Sequence, residues 1–307
     1  MLRSFGWRPE EPVQEPPWRQ AAWGQYQRDV VLAGRRMCYV DVGDGPAVVL
    51  VHGLASTWWA WFANIPHLAL DYRVVAVDLP GFGGSDRLSR PTEIDDFVDA
   101  LVGLLGHLGL GSVRIVGHSL GGIVAQRFAM RHPERTAALV LVASAGGPVS
   151  PIQATFFRGF ALASTLLDYG PRPLLGSAMR AAMAVAPLRR WIIGQVVHDP
   201  AAVPRELAAD AMSAACSSPG TAAAVLAGLR ASRPEDLRRI ACPTLIVGGQ
   251  RDRVVPVSAV EHLASLIPGA QRELWPGVGH HPMLERPESF NALVRAFLHE
   301  VGPRSPT

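Results

Sequence analysis

Hydrophobic residues along the chain form short unbroken runs that alternate with longer stretches of mixed polarity. Three runs are continuously or almost continuously apolar: Ala47–Val51, Val113–Val116 and Ala138–Val142. Such runs are typical of strands buried on both faces of a parallel sheet. Asp95–Leu108 and Ile123–Arg131 instead carry apolar residues at helical spacing. Strands that alternate with helices in this way predict a parallel sheet built from right-handed crossovers.

Further elements extend this alternation towards both ends of the chain. We predict additional strands at Val30–Ala33, Arg36–Val42, Arg73–Val77, Pro243–Val247 and Gln271–Leu274, and additional helices around Trp58–Phe62, at Pro256–Leu266 and at Pro287–Val301. The fold class is therefore α/β, with a mostly parallel central sheet and helices on both of its faces.

The alternation stops after the sixth predicted strand. Residues 147–235 contain no strand-like run, and prolines divide them into apolar segments, which predicts a set of short helices inserted as a cap, or lid. We divide the chain into an irregular N-terminal arm (1–27), an α/β core (28–146 and 236–307) and this helical cap (147–235).

Composition narrows the class of protein. The chain has 307 residues, of which 49% are hydrophobic and 18% charged, and its net charge is only +3, so a large core is expected and a nucleic-acid partner is not. The three cysteines are scattered without C-x-x-C spacing, so we predict no disulfide framework, metal site or cofactor. No apolar leader or membrane-spanning stretch is recognisable, and we expect a cytoplasmic protein.

A serine stands between the strand at Val113–Val116 and the helix at Ile123–Arg131. Gly117 and Gly121 flank Ser119 in a G-x-S-x-G pattern, which in this strand-to-helix context is the nucleophile elbow of serine hydrolases. The glycines are expected where the backbone must approach its neighbours closely. Ser119 is therefore the candidate nucleophile.

A serine hydroxyl needs a base and a carboxylate that orients the base. Asp252 follows the strand at Pro243–Val247, and His280 and His281 both follow the last predicted strand. All three residues thus lie at the carboxyl ends of strands, where ligands bind in such sheets. The chain order serine, aspartate, histidine is the one found after a nucleophile elbow. Position alone leaves His280 and His281 as rivals for the base.

Acyl transfer also needs N–H donors for the negative charge that develops on the carbonyl oxygen. We expect these from the backbone of Leu120, directly after the nucleophile, and of Leu54, in the loop after Ala47–Val51. His52 is expected to shape that loop, Asp78 to cap the glycine-rich turn that it starts, and Glu285 to fix the backbone near the His280 loop.

Five motifs resemble those of the α/β-hydrolase fold superfamily, over about residues 28 to 301. They are His52-Gly53-Leu54, Asp78-Leu79-Pro80-Gly81-Phe82-Gly83-Gly84-Ser85, Gly117-His118-Ser119-Leu120-Gly121-Gly122, Gly249-Gln250-Arg251-Asp252 and Gly279-His280-His281-Pro282-Met283-Leu284-Glu285-Arg286-Pro287. The resemblance implies that the histidine after glycine in the last motif is catalytic, which favours His280. Haloalkane dehalogenases and soluble epoxide hydrolases have an aspartate as nucleophile where this chain has Ser119, which argues against both of these classes.

These observations predict a serine hydrolase that cleaves a carboxylic ester of a small, largely apolar molecule with water. An apolar pocket is expected from residues after the oxyanion loop and in the cap: Trp58, Trp59, Phe156, Phe157, Phe160, Met179 and Met183. The same side chains could instead pack the cap on the core.

Other reactions, and one other kind of protein, remain open. A C–C bond hydrolase or a cofactor-free perhydrolase would use the same triad. Leu54-Ala55-Ser56-Thr57 replaces the longer glycine-rich run that is usual in the C–C hydrolases. The alternative that is not an enzyme is a non-catalytic small-molecule receptor with this fold.

Overall fold

A computed structural model describes residues 22–88, 93–146, 151–168, 172–201, 203, 205–231 and 234–302. The strands are β1 Gln27–Leu32, β2 Arg35–Val42, β3 Ala47–Val51, β4 Arg73–Val77, β5 Val113–His118, β6 Thr136–Val142, β7 Thr244–Gly249 and β8 Gln271–Trp275. The helices are α1 Ile65–Leu68, α2 Ile94–His107, α3 Leu120–Arg131, α4 Pro151–Asp168, α5 Arg172–Ala184, α6 Ala186–Ile193, α7 Arg205–Ser217, α8 Thr221–Arg230, α9 Val257–Leu266, α10 Pro282–Glu285 and α11 Pro287–Val301. None of the described helices is both long and apolar enough to cross a bilayer.

The eight strands form one sheet in the order β1-β2-β4-β3-β5-β6-β7-β8. β1 pairs with β2 and β2 with β4 in antiparallel fashion, and all the remaining pairs are parallel. The predicted fold class is therefore confirmed. The carboxyl ends of the parallel strands lie along one edge, and the loops after β3, β5, β7 and β8 all leave the sheet there.

Both faces of the sheet are covered by helices. In β3, Val49 and Val51 belong to an apolar cluster with α2 and α3, whereas Val48 and Leu50 belong to another with α1 and α11. This two-sided burial explains why β3 is apolar at every position. It also explains why the sequence predicts the bounds of β3 so well.

Residues between β6 and β7 form helices rather than strands wherever the structure describes them. Prolines stand at the start of several: Pro151 is the first residue of α4, and Pro187 lies in the first turn of α6, where the missing N–H costs nothing. The expectation of short helices was wrong for α4, which has 18 residues. The bounds of the cap as a domain stay a prediction.

The helix predicted around Trp58–Phe62 was also wrong in form. Trp58–Trp61 is a 3-10 turn capped by the Thr57 side chain, and α1 begins separately at Ile65. Pro66 lies in the first turn of α1 and has no N–H with which to continue one helix across this region.

The predicted arm enters the described part of the chain only at residue 22. Trp23 packs on the core, with its ring centroid 5.5 Å from that of Trp58 and 6.1 Å from that of Trp59. Residues 1–21 of the predicted arm lie outside the described residues.

Candidate active site

Ser119 occupies a strained turn between β5 and α3. Its φ of 51° and ψ of −115° are unusual for a non-glycine residue and cost on the order of 1–3 kcal/mol. A Cβ on Gly117 would collide with the carbonyl of Gly121, and a Cβ on Gly121 would collide with the carbonyls of Val51 and His52. Both glycines are therefore required by close backbone approach, as the motif predicts.

The two expected oxyanion donors flank this serine. Leu120 is the first residue of α3, so its N–H lies at the positive end of the helix. A Cβ on Gly53 would lie 3.1 Å from Ser119 Cβ, which brings the loop that carries Leu54 against the serine. Within the described part of the chain, neither the Leu54 nor the Leu120 N–H donates a hydrogen bond.

Asp252 and His280 form a buried pair. His280 Nδ1 lies 2.8 Å from Asp252 Oδ2, and the side chains are 6% and 1% exposed, respectively. Asp252 Oδ1 accepts from the N–H groups of Val254 and Val255 at 2.7 and 2.9 Å, so the carboxylate is fixed by its own turn. With Nδ1–H donated to Asp252, Nε2 of His280 is the free basic nitrogen.

The loop of His280 also contacts the nucleophile elbow, through His118. His118 Nε2–H donates to the carbonyl oxygen of His280 at 2.9 Å, and the two ring centroids are 4.9 Å apart. The structure thus pairs Asp252 with His280 directly and joins the backbone of His280 to the residue before Ser119. Ser119 Oγ itself makes no hydrogen bond to a described residue; such bonds are often long before substrate binds.

His281 has different surroundings from its neighbour. Its Nδ1 lies 3.5 Å from the carbonyl oxygen of Val196, and its ring packs on that of His118 at 4.7 Å. Asp252 bonds to His280 and not to His281, so the geometry favours His280 as the base. The contact between His118 and His280 was not predicted from the sequence.

His52 and Asp78 hold the backbone around the oxyanion loop. His52 Nδ1 donates to the carbonyl of Gly53 at 2.7 Å, and Nε2 accepts from Leu79 N–H at 3.0 Å. Asp78 accepts from the N–H groups of Trp58 and Gly84 at 2.7 and 2.9 Å. Both residues therefore have the structural roles that the sequence suggests.

Burial shifts the pKa values of these groups away from their ordinary range. It lowers the pKa of His52 to about 4 and that of His281 to about 3, and lowers the pKa of His118 well below its usual value. Burial raises the pKa of Asp78 to about 6, against the lowering effect of its two N–H partners. The three histidines are therefore neutral in the folded protein at pH 7.

We expect the free energy of unfolding to fall as the pH drops below about 6.5, where histidines of the unfolded chain gain protons. Above pH 6.5, His52 is neutral in both the folded and the unfolded chain. Between pH 6.5 and 4 the unfolded chain gains a proton on this residue first, which lowers the free energy of unfolding by about 3 kcal/mol. Asp78 acts oppositely in the same window, because its folded form holds a proton that the unfolded form releases. The stability gained through Asp78 as the pH falls therefore offsets the stability lost through roughly one of the three histidines.

Urea unfolding of the wild type and His52→Gln between pH 4 and 7.5 measures this slope. Glutamine can donate to Gly53 and accept from Leu79 without titrating, so His52→Gln should flatten the pH dependence. The exposed His107→Gln is the matched control and should keep the wild-type slope. Identical slopes for all three proteins would contradict a buried neutral His52.

The predicted pocket residues lie in several environments. Trp58 is buried and packs with Trp59 and Trp23. Met183 is fully buried in a cluster with Phe62, and Met179 packs against that cluster.

Among the predicted pocket residues whose side chains the structure describes, Phe157 alone packs, with Leu54, against the cluster of Ala161, Ala222 and Val225. Phe157 and Leu54 thus share one apolar cluster. The side chains of Phe156 and Phe160 lie outside the described residues. Among the residues that the structure describes, no group of histidine, cysteine, aspartate and glutamate is arranged to hold a metal ion.

A nucleophile elbow and a buried aspartate–histidine pair at the carboxyl edge of this sheet are typical of hydrolases with the α/β-hydrolase fold. Residues 48–293 match the Alpha/beta hydrolase family, and the chain belongs to that family. It is 32% identical to 2-hydroxymuconate semialdehyde hydrolase of Pseudomonas putida, over 89% of this chain and 94% of the relative.

Solved structures of two kinds of hydrolase resemble the chain. The meta-cleavage product hydrolase CumD of Pseudomonas fluorescens is 29% identical with a TM-score of 0.71, over 90% of this chain and 98% of the other. A thermophilic esterase of Thermogutta terrifontis is 27% identical with a TM-score of 0.74, over 90% and 99%. The similar solved structures thus include both a meta-cleavage product hydrolase and an esterase.

Proposed function

We propose that this hydrolase is a serine hydrolase that cleaves a carboxylic ester of a small, largely apolar molecule. Ser119 is the nucleophile, His280 the general base and acid, and Asp252 the residue that orients His280. The observation that carries the proposal is the buried pair of Asp252 and His280 on the same edge of the sheet as the strained Ser119.

The chemistry proceeds in two halves. His280 Nε2 takes the proton of Ser119 Oγ while that oxygen attacks the ester carbonyl, and the N–H groups of Leu54 and Leu120 stabilise the oxyanion. The imidazolium then gives its proton to the leaving alkoxide as the C–O bond breaks, which leaves an acyl-enzyme. Water attacks the acyl-enzyme in the same way, and Ser119 regains its proton as the acid leaves.

An apolar substrate is supported by the surroundings of the oxyanion loop. The Leu54 side chain and Phe157 of α4 pack against one apolar cap cluster, formed by Ala161, Ala222 and Val225. A hydrophobic acyl or alcohol group bound next to this surface would gain roughly 25 cal/mol per Å² of apolar area removed from water.

A second candidate is hydrolysis of a C–C bond, which the names of several relatives favour. Relatives 31–32% identical to this chain include 2-hydroxymuconate semialdehyde hydrolase and 2-hydroxy-6-oxo-2,4-heptadienoate hydrolase. Ser119 Oγ would attack a ketone carbonyl, and the carbon that leaves as the C–C bond breaks would take the proton from the His280 imidazolium in place of the alkoxide.

One substrate panel separates these readings. We expect p-nitrophenyl esters with acyl chains of about two to eight carbons to be hydrolysed with a higher kcat/KM than 2-hydroxy-6-oxo-2,4-heptadienoate. We also expect a fluorophosphonate to label Ser119. A preference for the dienoate would replace ester hydrolysis by the second candidate. Tight binding of an ester analogue without labelling or turnover would identify a receptor instead.

A further inference from the structure

The side chain of Glu285 binds two separate segments of the chain at once. One oxygen accepts from the N–H groups of Gly279 and His281 at 3.0 and 3.2 Å, and the other accepts from Gly279 at 3.0 Å and from His198 at 2.7 Å. Glu285 is 8% exposed, and it forms no ion pair with any described residue. Its charge is therefore balanced by backbone N–H groups on both sides of His280 and in the cap.

The cap segment that supplies His198 also binds His280 directly. We call Gly194–His198, which follows α6, the cap strap. The His280 N–H donates to the carbonyl of Val196 at 2.8 Å. A Cβ on Gly279 would lie 2.7 Å from the backbone nitrogen of His198, so the strap and the His280 loop are in close backbone contact.

The strap also reaches the loop of the orienting aspartate. Arg253, the residue after Asp252, donates from Nη1 to the carbonyl of Gly194 at 3.2 Å. The strap therefore bonds to the residue after Asp252 and to His280 itself. At this end, the cap and the catalytic loops form one hydrogen-bonded unit.

We propose that Glu285 is a positioning residue. It ties the cap strap to the His280 loop and so holds the His280 imidazole where it can take the proton of Ser119 Oγ. This inference rests on the proposed function, because it concerns the same base. Hydrogen bonds to an ionised acceptor are roughly twice as strong as neutral ones, which suits a carboxylate shared by two segments. β8 anchors the start of the loop in the sheet, and α11, which follows the loop, packs against a face of the sheet.

Glu285→Gln tests the proposal at the carboxylate. Glutamine has one acceptor oxygen, which can accept from Gly279 together with either His198 or His281, and its NH₂ group then opposes the N–H that is left without an acceptor. We expect kcat for a p-nitrophenyl ester to fall about 10- to 100-fold, as misplacement of a catalytic group by about 1 Å does. KM should change much less, because Glu285 does not contact the substrate.

Arg114→Met is the matched control for loss of stability. Arg114 is also a buried charged residue; its guanidinium donates to the carbonyl of Gly302, at the end of β5 remote from Ser119. We expect Arg114→Met to lower Tm while leaving kcat close to the wild-type value below that Tm. If Glu285→Gln lowers Tm but likewise leaves kcat unchanged, Glu285 is merely structural and the proposal is overturned.

A backbone pair tests the strap itself. His198→Pro removes the N–H that donates to Glu285, whereas His198→Ala keeps it. We expect the kcat of His198→Pro to be at least about fivefold below that of His198→Ala, a difference of roughly 1 kcal/mol. Equal kcat values for the two variants would overturn the role of the strap.

Amide hydrogen exchange separates this inference from the proposed function. The N–H groups of Gly279, His281 and His198 should exchange faster in Glu285→Gln than in the wild type, whatever the reaction is. Unchanged exchange would show that Glu285 does not tie the two segments. Turnover retained by Ser119→Ala would instead refute the proposed nucleophile and leave the exchange result standing.

Discussion

Ser119→Ala is expected to lower kcat for a p-nitrophenyl ester by about 10⁶-fold, as loss of a nucleophilic serine does. The hydroxyl removed is the one held out at the strained turn between β5 and α3. The nearby Ser144 cannot replace it, because Ser144 is fully buried and its hydroxyl is bonded beneath the turn, to the carbonyls of Ser119 and Ala145. Labelling by a fluorophosphonate should disappear together with turnover.

Ser144→Ala is the control for this substitution, because it removes a neighbouring hydroxyl and leaves the Ser119 hydroxyl in place. We expect it to keep both labelling and most of the turnover. Alanine at 119 meets the same backbone constraint as serine, so the Tm of Ser119→Ala should stay near that of the wild type. Turnover that survives in a pure, folded Ser119→Ala protein would exclude the acyl-enzyme mechanism.

Asp252→Asn is expected to reduce kcat by about 10⁴-fold, the effect of placing the histidine in the wrong tautomer. Oδ1 of Asp252 accepts two backbone N–H groups, from Val254 and Val255. The amide oxygen of an asparagine would take that position, which turns its NH₂ group towards His280 Nδ1. His280 would then carry its proton on Nε2 and could not accept the proton of Ser119.

The pH dependence of kcat measures this tautomer effect. The loss in Asp252→Asn should persist across the neutral range, since geometry rather than titration causes it. Asp86→Asn is a suitable control, because Asp86 also accepts a backbone N–H, from Arg36, but at the opposite side of the sheet from β7 and β8. Activity of Asp252→Asn above about a tenth of the wild type would mean that another group orients His280.

Local sequence predicted much of the core because the relevant constraints are local. β3 matches its predicted bounds, since a strand covered on both faces leaves no position for a polar residue. The G-x-S-x-G pattern is likewise local: the collisions that exclude side chains at Gly117 and Gly121 involve backbone at the turn and in the adjoining strand end. The carboxyl-edge positions of Ser119, Asp252 and His280 followed from the alternation of strands and helices.

Contacts between distant segments could not be found in this way. The bond from His118 to the carbonyl of His280 and the bridge from Glu285 to His198 join residues 162 and 87 positions apart. Hydrophobic periodicity reports which face of an element is buried, but not which partner covers it. The choice between His280 and His281 needed the resemblance, and in the structure the carboxylate of Asp252 bonds only to the first of them.

The sequence therefore determined the type of fold, the turn that holds Ser119 and the set of candidate groups, because each depends on a pattern within one or two neighbouring elements. The folded chain decided which groups meet. Burial of Asp252 with His280 arises only when β8 pairs with β7, and the seating of the cap strap on the His280 loop arises only when the cap packs against that edge of the sheet.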